Sequence, residues 1–339
     1  MSVLGQKLKD FFLKQKEYKK EHSCSYSQEP MLVDLVYTWV NSSDPKWIEK
    51  KAQFDESIKS VHKEATDKCR FQDNDELKYS LRSVEKFANW INKIYIVTDE
   101  QIPEWLNTSN EKICIIDHKD ILPKENLPTY NACAIENAIV NIKGLSEYFL
   151  YANDDIFFWN NTTPEFFFEQ NKPIIRIKNK IKKYKKYTHL YGAMVYKAYL
   201  TAKQRFNKDY PYFSHHNIDS YRKSLFTDCI SEFQEEFSNT ANNRFRALSD
   251  MQRIIVSFYS LAKNEAVLKD INTNLIQKLF KISPDSDYCN LRKRLLNKLL
   301  RSNSKLVCIN DCRKTTDKDR EYLKEVLNKK FPDKSQFEK

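Results

Sequence analysis

The chain has 339 residues, a formal net charge of +11, 13% aromatic residues and only three glycines, at positions 5, 144 and 192. That length can bury a substantial core, and the apolar content excludes a disordered chain. So few glycines exclude a P-loop or a G-x-G-x-x-G turn, so any nucleotide must be held by side chains, a metal or ordinary helix N-termini.

Residues 4–20 place Leu4, Leu8, Phe11 and Phe12 on one helical face among lysines, a pattern that suits an interfacial membrane helix or a helix docked on its own domain. A polar linker follows to residue 30. No secretory h-region with a cleavage site stands here, and no apolar run reaches the roughly 20 residues of a membrane span. A cytoplasmic protein is expected, with peripheral contact at the inner face of the membrane as a further expectation.

Met31–Val40 is β-branched and aromatic and reads as the first strand, carrying Asp34. Asp44-Pro45 then supplies a cap and an N1 proline for a helix to about His62. The loop from Trp39 through Val40 and Asn41 to Ser43 falls at the C-terminal edge of that strand, where open α/β sheets bind ligands. Arg70–Leu77, with Asp73 or Asn74 as cap, precedes an amphipathic helix whose inner face is Leu77, Leu81, Val84 and Phe87. Lys93–Thr98 and Lys112–Asp117 are strands, His118 is a turn residue, and 130–143 is a helix.

The run Tyr148–Ala152 reads as a buried strand, broken by Asn153-Asp154-Asp155 before apolar residues resume at Ile156–Trp159. Adjacent carboxylates in an apolar segment are costly to bury without a cation or donor. At a strand end the neutraliser suited to them is a divalent metal with a phosphorylated ligand, and a plain turn is the bland alternative. Pro173–Lys178 is a further strand. Lysines 178, 180, 182, 183, 185 and 186, interleaved with Tyr184 and Tyr187, make a solvated loop or a subsite for an anionic polymer or lipid-linked acceptor.

Helices are expected over 193–206, 217–237, 247–263 and 288–301. Between and within them lie His215-His216 and Arg244-Phe245-Arg246; one histidine could act as a general base, since imidazole titrates near neutrality. Lys305–Ile309 is a last strand ending in Asn310-Asp311, followed by a helix over 316–330. If that strand joins the same sheet edge, both polar pairs can meet around one metal–diphosphate. Eight cysteines without a C-x-x-C pair indicate reduced thiols, which leaves the sequons at Asn41, Asn107, Asn160 and Asn161 without meaning. Strands alternating with helices predict an α/β, Rossmann-like fold with a mostly parallel sheet. The expected division is an N-terminal segment 1–30, an α/β core 31–178, a mainly helical portion 179–304, and a returning strand and helix 305–339.

Taken together these residues resemble the Stealth family of hexose-1-phosphate transferases, through its four conserved regions in order. The first runs from Asp34 to Asn41 and on to Asp44. The second opens at Arg70-Phe-Gln-Asp-Asn-Asp-Glu-Leu77 and runs through Ile96-Val-Thr98 and Gln101–Leu106 to Asn153-Asp154-Asp155. His216-Asn-Ile-Asp219, Glu235-Glu-Phe237 and Arg246 ahead of Ser249-Asp-Met-Gln252 make the third; Cys308-Ile-Asn-Asp311 through Phe331-Pro332 to Phe337 makes the fourth. The stretch 156–210 matches little beyond the strand end, and the lack of large insertions between regions points to a compact bacterial enzyme.

The resemblance implies transfer of a sugar-1-phosphate from UDP-N-acetylglucosamine to a glycan hydroxyl, releasing UMP, in capsular or surface polysaccharide synthesis. It further implies magnesium or manganese at Asp154 and Asp155, with Asn310 and Asp311 completing the shell. His216 would be the base, and Arg246 would face phosphate oxygens. Asp34, Trp39, Val40 and Asn41 would face the nucleotide or sugar, with Arg70, Asn74 and Arg82 as further candidates. The acceptor would be an oligosaccharide or polysaccharide, free or lipid-linked, and no nucleic acid is expected. Two rivals remain at this point: a glycosyltransferase releasing UDP, and a non-catalytic polyanion binder with salt-sensitive binding.

Overall fold

A computed structural model describes residues 31–54, 62–181, 189–214, 218–270, 277–281, 299–311 and 315–339. The expected helices at 4–20 and over most of 288–301, the lysines at 182–186 and the pair His215-His216 lie outside the described residues.

Four parallel strands build the main sheet: β1 (Val33–Thr38), β2 (Ile94–Thr98), β3 (Ile113–Asp117) and β4 (Tyr148–Asn153), ordered β3-β2-β1-β4. Their near-continuous apolar runs suit strands covered on both faces. Leu35 of β1 pairs with Ile94 on one side and Leu150 on the other, and Val33 to Tyr37 are buried. The α/β class and the parallel core agree with expectation. Among the described residues no helix is long and apolar enough to cross a membrane.

The helix α1 (Pro45–Ala52) is capped by Asp44, which accepts from the Lys46 amide at 2.8 Å, but it stops ten residues short of His62. In α2 (Glu76–Phe87) Leu77, Leu81 and Val84 are buried as predicted. Its cap differs. Asp75, at φ 66°, occupies that position without a side-chain capping bond, its carboxylate pairing with Lys324 instead, and Asp73 accepts from the Asp75 amide at 3.0 Å. The helix expected over 130–143 is α3 (Ala132–Ala138) with one further 3₁₀ turn, Ile139–Asn141.

Beyond β4 the chain turns into β5 (Ile156–Phe158), and β6 (Lys172–Lys180), paired with the short strand Phe168–Glu169 just before it, is the centre of a second sheet. Its neighbours are β7 (Tyr212–Ser214), antiparallel, and β9 (Val267–Asp270), parallel; α4 (Leu190–Phe206) lies between β6 and β7 in the chain. The stretch 217–237 is not one helix. It holds β8 (Asp219–Arg222), which adds antiparallel to the free side of β4 with Asp219 opposite Tyr151, and then α5 (Lys223–Glu232). Aromatic stacking fixes that edge: Tyr221 lies 5.6 Å from Phe149 and 5.3 Å from Phe226. After α6 (Gln234–Asn242), α7 (Ile254–Ala262) starts seven residues later than predicted. The intervening chain winds around Asp250, which accepts from the Ala247 amide and the side chains of Asn131 and Asn243 at 2.7–2.8 Å.

The final strand does not join the main sheet. It forms β11 (Leu306–Asn310), parallel to β10 (Gln277–Lys281) and antiparallel to β5, with Cys308 opposite Ile156. The helix α8 (Asp317–Lys330), closed by a Thr316–Asp319 capping box, packs Leu323, Val326 and Leu327 with Phe157, Trp159 and Phe331.

Two expected ligand-facing residues are structural. Asp34 lies at the N-terminal end of β1, fully buried, and accepts from Asn92 Nδ2 (2.8 Å), the Lys93 amide (3.1 Å) and the Ser146 amide (2.7 Å). It ties loops together at the sheet edge opposite the ligand-binding one. Arg82 makes a bidentate pair with Glu338 (2.8 and 2.7 Å) and donates to the Phe331 carbonyl, so its fork is filled. Both side chains are over nine-tenths buried. Glu338→Gln should therefore cost roughly 3–5 kcal/mol, read as a lowered melting temperature. The Arg82 hydrogen bond holds Glu338 below the usual carboxylate range against burial. Its stabilising contribution is present above the ordinary glutamate pKa and is lost as pH falls through the lowered value, so the variant should be less sensitive to acid.

Candidate active site

The Asn153-Asp154-Asp155 turn sits at the C-terminal edge of the parallel sheet, between β4 and β5. Beneath it, the Tyr37 hydroxyl lies 2.7 Å from Ser80 Oγ, which donates to the Ile156 carbonyl at 2.5 Å, so α2 grips the start of β5. From the other side β11 docks: the Ile309 amide donates to the Asp155 carbonyl at 2.9 Å. Asn310 Nδ2 lies 3.2 Å, and Cys308 Sγ 3.6 Å, from Asp155 Oδ2. Asp155 Oδ1 is sealed from solvent and has no hydrogen-bond partner.

Acids crowd this turn. Glu76, at the start of α2, is buried and receives two hydrogen bonds from Asn74, from its amide (2.6 Å) and its Nδ2 (2.7 Å). Burial pushes Glu76 up to about 7, against the Asn74 bonds, and Asp155 up to about 6, against Cys308 and Asn310. Asp154 is driven well above the usual range by burial and then by Glu76, Asp155 and Asp73. Burial likewise raises Asp73. Asp154, Asp155 and Glu76 form no ion pair among the described residues.

The structure brings together Asp154, Asp155, Asn310 and Asn74 from the predicted set. Asp311 is close, with Asn74 Nδ2 at 3.5 Å, but it pairs with Arg320 of α8 at 3.0 Å, which already neutralises its charge. Trp39 is buried at the same edge with its indole N–H directed at Asp73, and Val40 is half-buried beside it. Asn41 is locked by its backbone to Gln101, its amide and carbonyl each at 2.9 Å. Arg70 is exposed and Arg246 half-buried. His216 lies outside the described residues; Asp219, three residues on, pairs with Tyr151, three residues before Asp154.

Sequence reading missed Asp73 and Glu76 as members of this cluster. A signal existed: Glu76, Ser80 and Ser83 share one helical face, and all three are buried. Also missed was a second group at the ends of β2 and β3. His118 opens a short helix capped by Asp117, and its Nδ1 lies 3.9 Å from Asp99, which Lys50 reaches at 2.5 Å. Thr98 Oγ1, Asp99 Oδ2, His118 Nδ1 and Tyr130 Oη are buried without partners. Because buried polar atoms are nearly always paired, their gathering on the C-terminal edge marks it as the ligand side.

The donor set is oxygen-rich, as hard divalent cations require. Among the described residues no three His, Cys, Asp or Glu side chains cage an ion by themselves. Magnesium commonly takes one or two carboxylates and completes its shell with water and substrate phosphates, so Asp154 and Asp155, with the orphaned Oδ1, fit such an ion. Without a cation, ionising the cluster works against folding. Stability should fall as pH rises from the ordinary carboxyl range through about 7, by a few kcal/mol. Glu76→Gln should flatten that decline in a pH series of melting curves taken in chelator.

Comparison with known proteins shows the family. The family models for Stealth protein conserved region 1 and conserved region 2 match residues 32–59 and 70–175. The second extends past residue 156, where sequence reading ended the resemblance. The exopolysaccharide phosphotransferase cps2G of Lactiplantibacillus plantarum is 32% identical across 93% of this chain and 98% of its own. The capsular polysaccharide phosphotransferase fcs1 of Haemophilus influenzae is 34% identical across 88% and 83%. WcwK of Streptococcus pneumoniae, also named a capsular polysaccharide phosphotransferase, is 28% identical across 91% and 98%. Solved structures include the galactosyltransferase LgtC, at 12% identity and a TM-score of 0.40 over 87% of this chain and 95% of that one, a likeness too low to bear on function. With two conserved regions matched in place and relatives aligned along nearly their whole length, the chain belongs to the Stealth family and is a transferase.

Proposed function

We propose that the protein transfers a hexose-1-phosphate to a hydroxyl of a glycan acceptor, forming a phosphodiester in capsular or surface polysaccharide synthesis. The donor is a nucleotide sugar, with UDP-N-acetylglucosamine as the first candidate and UMP as the leaving group. The observation that carries this reading is the Asp154-Asp155 turn, with an orphaned buried carboxylate oxygen, at the ligand edge of a chain whose relatives are named polysaccharide phosphotransferases.

In this reaction the acceptor oxygen bonds to the β-phosphorus while the bond to the UMP oxygen breaks, and catalysis rests on positioning and charge neutralisation. Asp154 and Asp155, with Asn310 beside them, would hold magnesium, which when bound neutralises charge on the diphosphate. Asn310 fixes one oxygen of Asp155 and leaves the other free. Asn74 orients Glu76 against the same turn. An imidazole nitrogen of His216 accepts the proton of the acceptor hydroxyl, a role supported by its motif and by the pairing of Asp219 with β4. Trp39 and the Asp99–His118–Tyr130 group, with its buried polar atoms left without hydrogen bonds, suit the nucleoside side of the donor.

Incubation with magnesium, UDP-N-acetylglucosamine and short capsule-type acceptors should release UMP. Turnover should drop at least ~100-fold in both Asp155→Ala and His216→Ala. Release of UDP would instead identify a glycosyltransferase.

A further inference from the structure

Asp155 is gripped from backbone to carboxylate by one strand. Side chains alternate along β11, so Val307 and Ile309 enter the core with α8, while Cys308 and Asn310 share the opposite face. That face meets Asp155. The Ile309 amide donates to the Asp155 carbonyl at 2.9 Å, and Asn310 Nδ2 donates to Oδ2 at 3.2 Å. Cys308 is fully buried, and its Sγ donates to the same Oδ2 at 3.6 Å.

Both side-chain donors fall on one oxygen. Oδ1 receives none and is sealed from solvent. Asp154 divides its carboxylate in a similar way, since its Oδ1 accepts from the Asp155 amide at 3.1 Å. Each acid thus commits one oxygen to the protein.

A buried cysteine mostly behaves as a small apolar side chain, and its S–H is a weak donor. Here it faces a carboxylate. Its longer C–S bond reaches an oxygen that a serine hydroxyl would meet from farther back. Weak donation orients the carboxylate while drawing little of its charge away from a cation.

The number of oxygens a carboxylate offers decides which hard cation it suits. Calcium takes roughly six to eight oxygens and accepts both from one carboxylate, whereas the smaller magnesium demands a near-octahedral shell. One oxygen from each acid favours magnesium.

We propose that Cys308 is a positioning residue that, with Asn310, holds Asp155 to a single presented oxygen and so sets the turn's preference for magnesium over calcium. This rests on the reading of the acidic turn as a cation site, and it does not depend on which transfer reaction the cation serves.

Melting curves of the full chain measure the two apparent affinities without turnover, when chelator-treated protein is taken through magnesium and calcium series with and without UDP. The wild type should be stabilised by magnesium at lower concentration than by calcium. In Cys308→Ala, magnesium affinity should fall ~10-fold while calcium affinity holds, so the preference shrinks by the same factor. Cys308→Ser keeps a donor at this position and should recover part of the preference. The pair of variants separates positioning from packing. A purely structural role ranks serine below alanine in baseline melting temperature, because a buried hydroxyl is costlier than a methyl group, and leaves the cation preference unmoved in both. An unchanged magnesium-to-calcium ratio in Cys308→Ala, or no response of the wild type to either cation, overturns the proposal. A shifted ratio alongside UDP as the product of turnover would sink the phosphotransferase reading and leave the role of Cys308 standing.

Discussion

Arg253 is a cation placed where water cannot reach it, and the ligand edge is built around satisfying it. Its guanidinium lies 4.2 Å over the Tyr151 ring, donates to Asp219 and to Tyr221 Oη, and comes within 3.1 Å of Glu136 at an angle short of a hydrogen bond. Those partners belong to β4, β8 and α3, while Arg253 itself precedes α7. A buried charge stripped of its partners is far costlier than one that keeps them, so these four elements are obliged to meet in one arrangement. Tyr151 carries that constraint forward. Its hydroxyl lies 3.0 Å from Thr38 and 3.0 Å from Asn153, so the ends of β1 and β4 inherit their spacing from the ion pair below.

Above that platform the charges are sorted. Acids from α2 and the β4–β5 turn collect there, and Asp154, Asp155 and Glu76 meet no cationic side chain in an ion pair among the described residues. In a chain of net charge +11 the acids could readily have been matched with lysines, as Asp99 is with Lys50. Leaving these acids uncompensated suits a ligand that arrives with its own cation. The same sorting explains why raised carboxyl groups cluster at this turn while Glu338, far from it, is lowered by a complete arginine fork.

Much of the core was legible because its strands are continuous apolar runs, and the Asp154-Asp155 interruption is conspicuous within one of them. Asn310 was legible as a strand-end residue, although its strand turned out to belong to a separate small sheet. Asp34 and Arg82 misled. A buried acid and a buried arginine read alike whether they face a ligand or a loop, and only the amides around Asp34 and the carboxylate of Glu338 decide it. β8 was hidden because Asp219-Ser-Tyr-Arg222 has no strand periodicity of its own and becomes a strand by completing the edge of β4. The group around Asp99 and His118 left no pattern in sequence, since its members come from different strand ends and a loop at residue 130.

The pairing of β5 with β11 has a consequence in time. Asp155 and Asn310 are separated by nearly half the chain, so a ribosome adding ~5–20 residues per second finishes the first at least several seconds before the second. During that interval the acidic turn lacks the strand that seals Asp155, and its carboxylates can remain hydrated rather than crowded. A nascent or truncated chain thus carries the sheet but not the finished site. The acidic turn is completed only once β11 has been made and docks on β5.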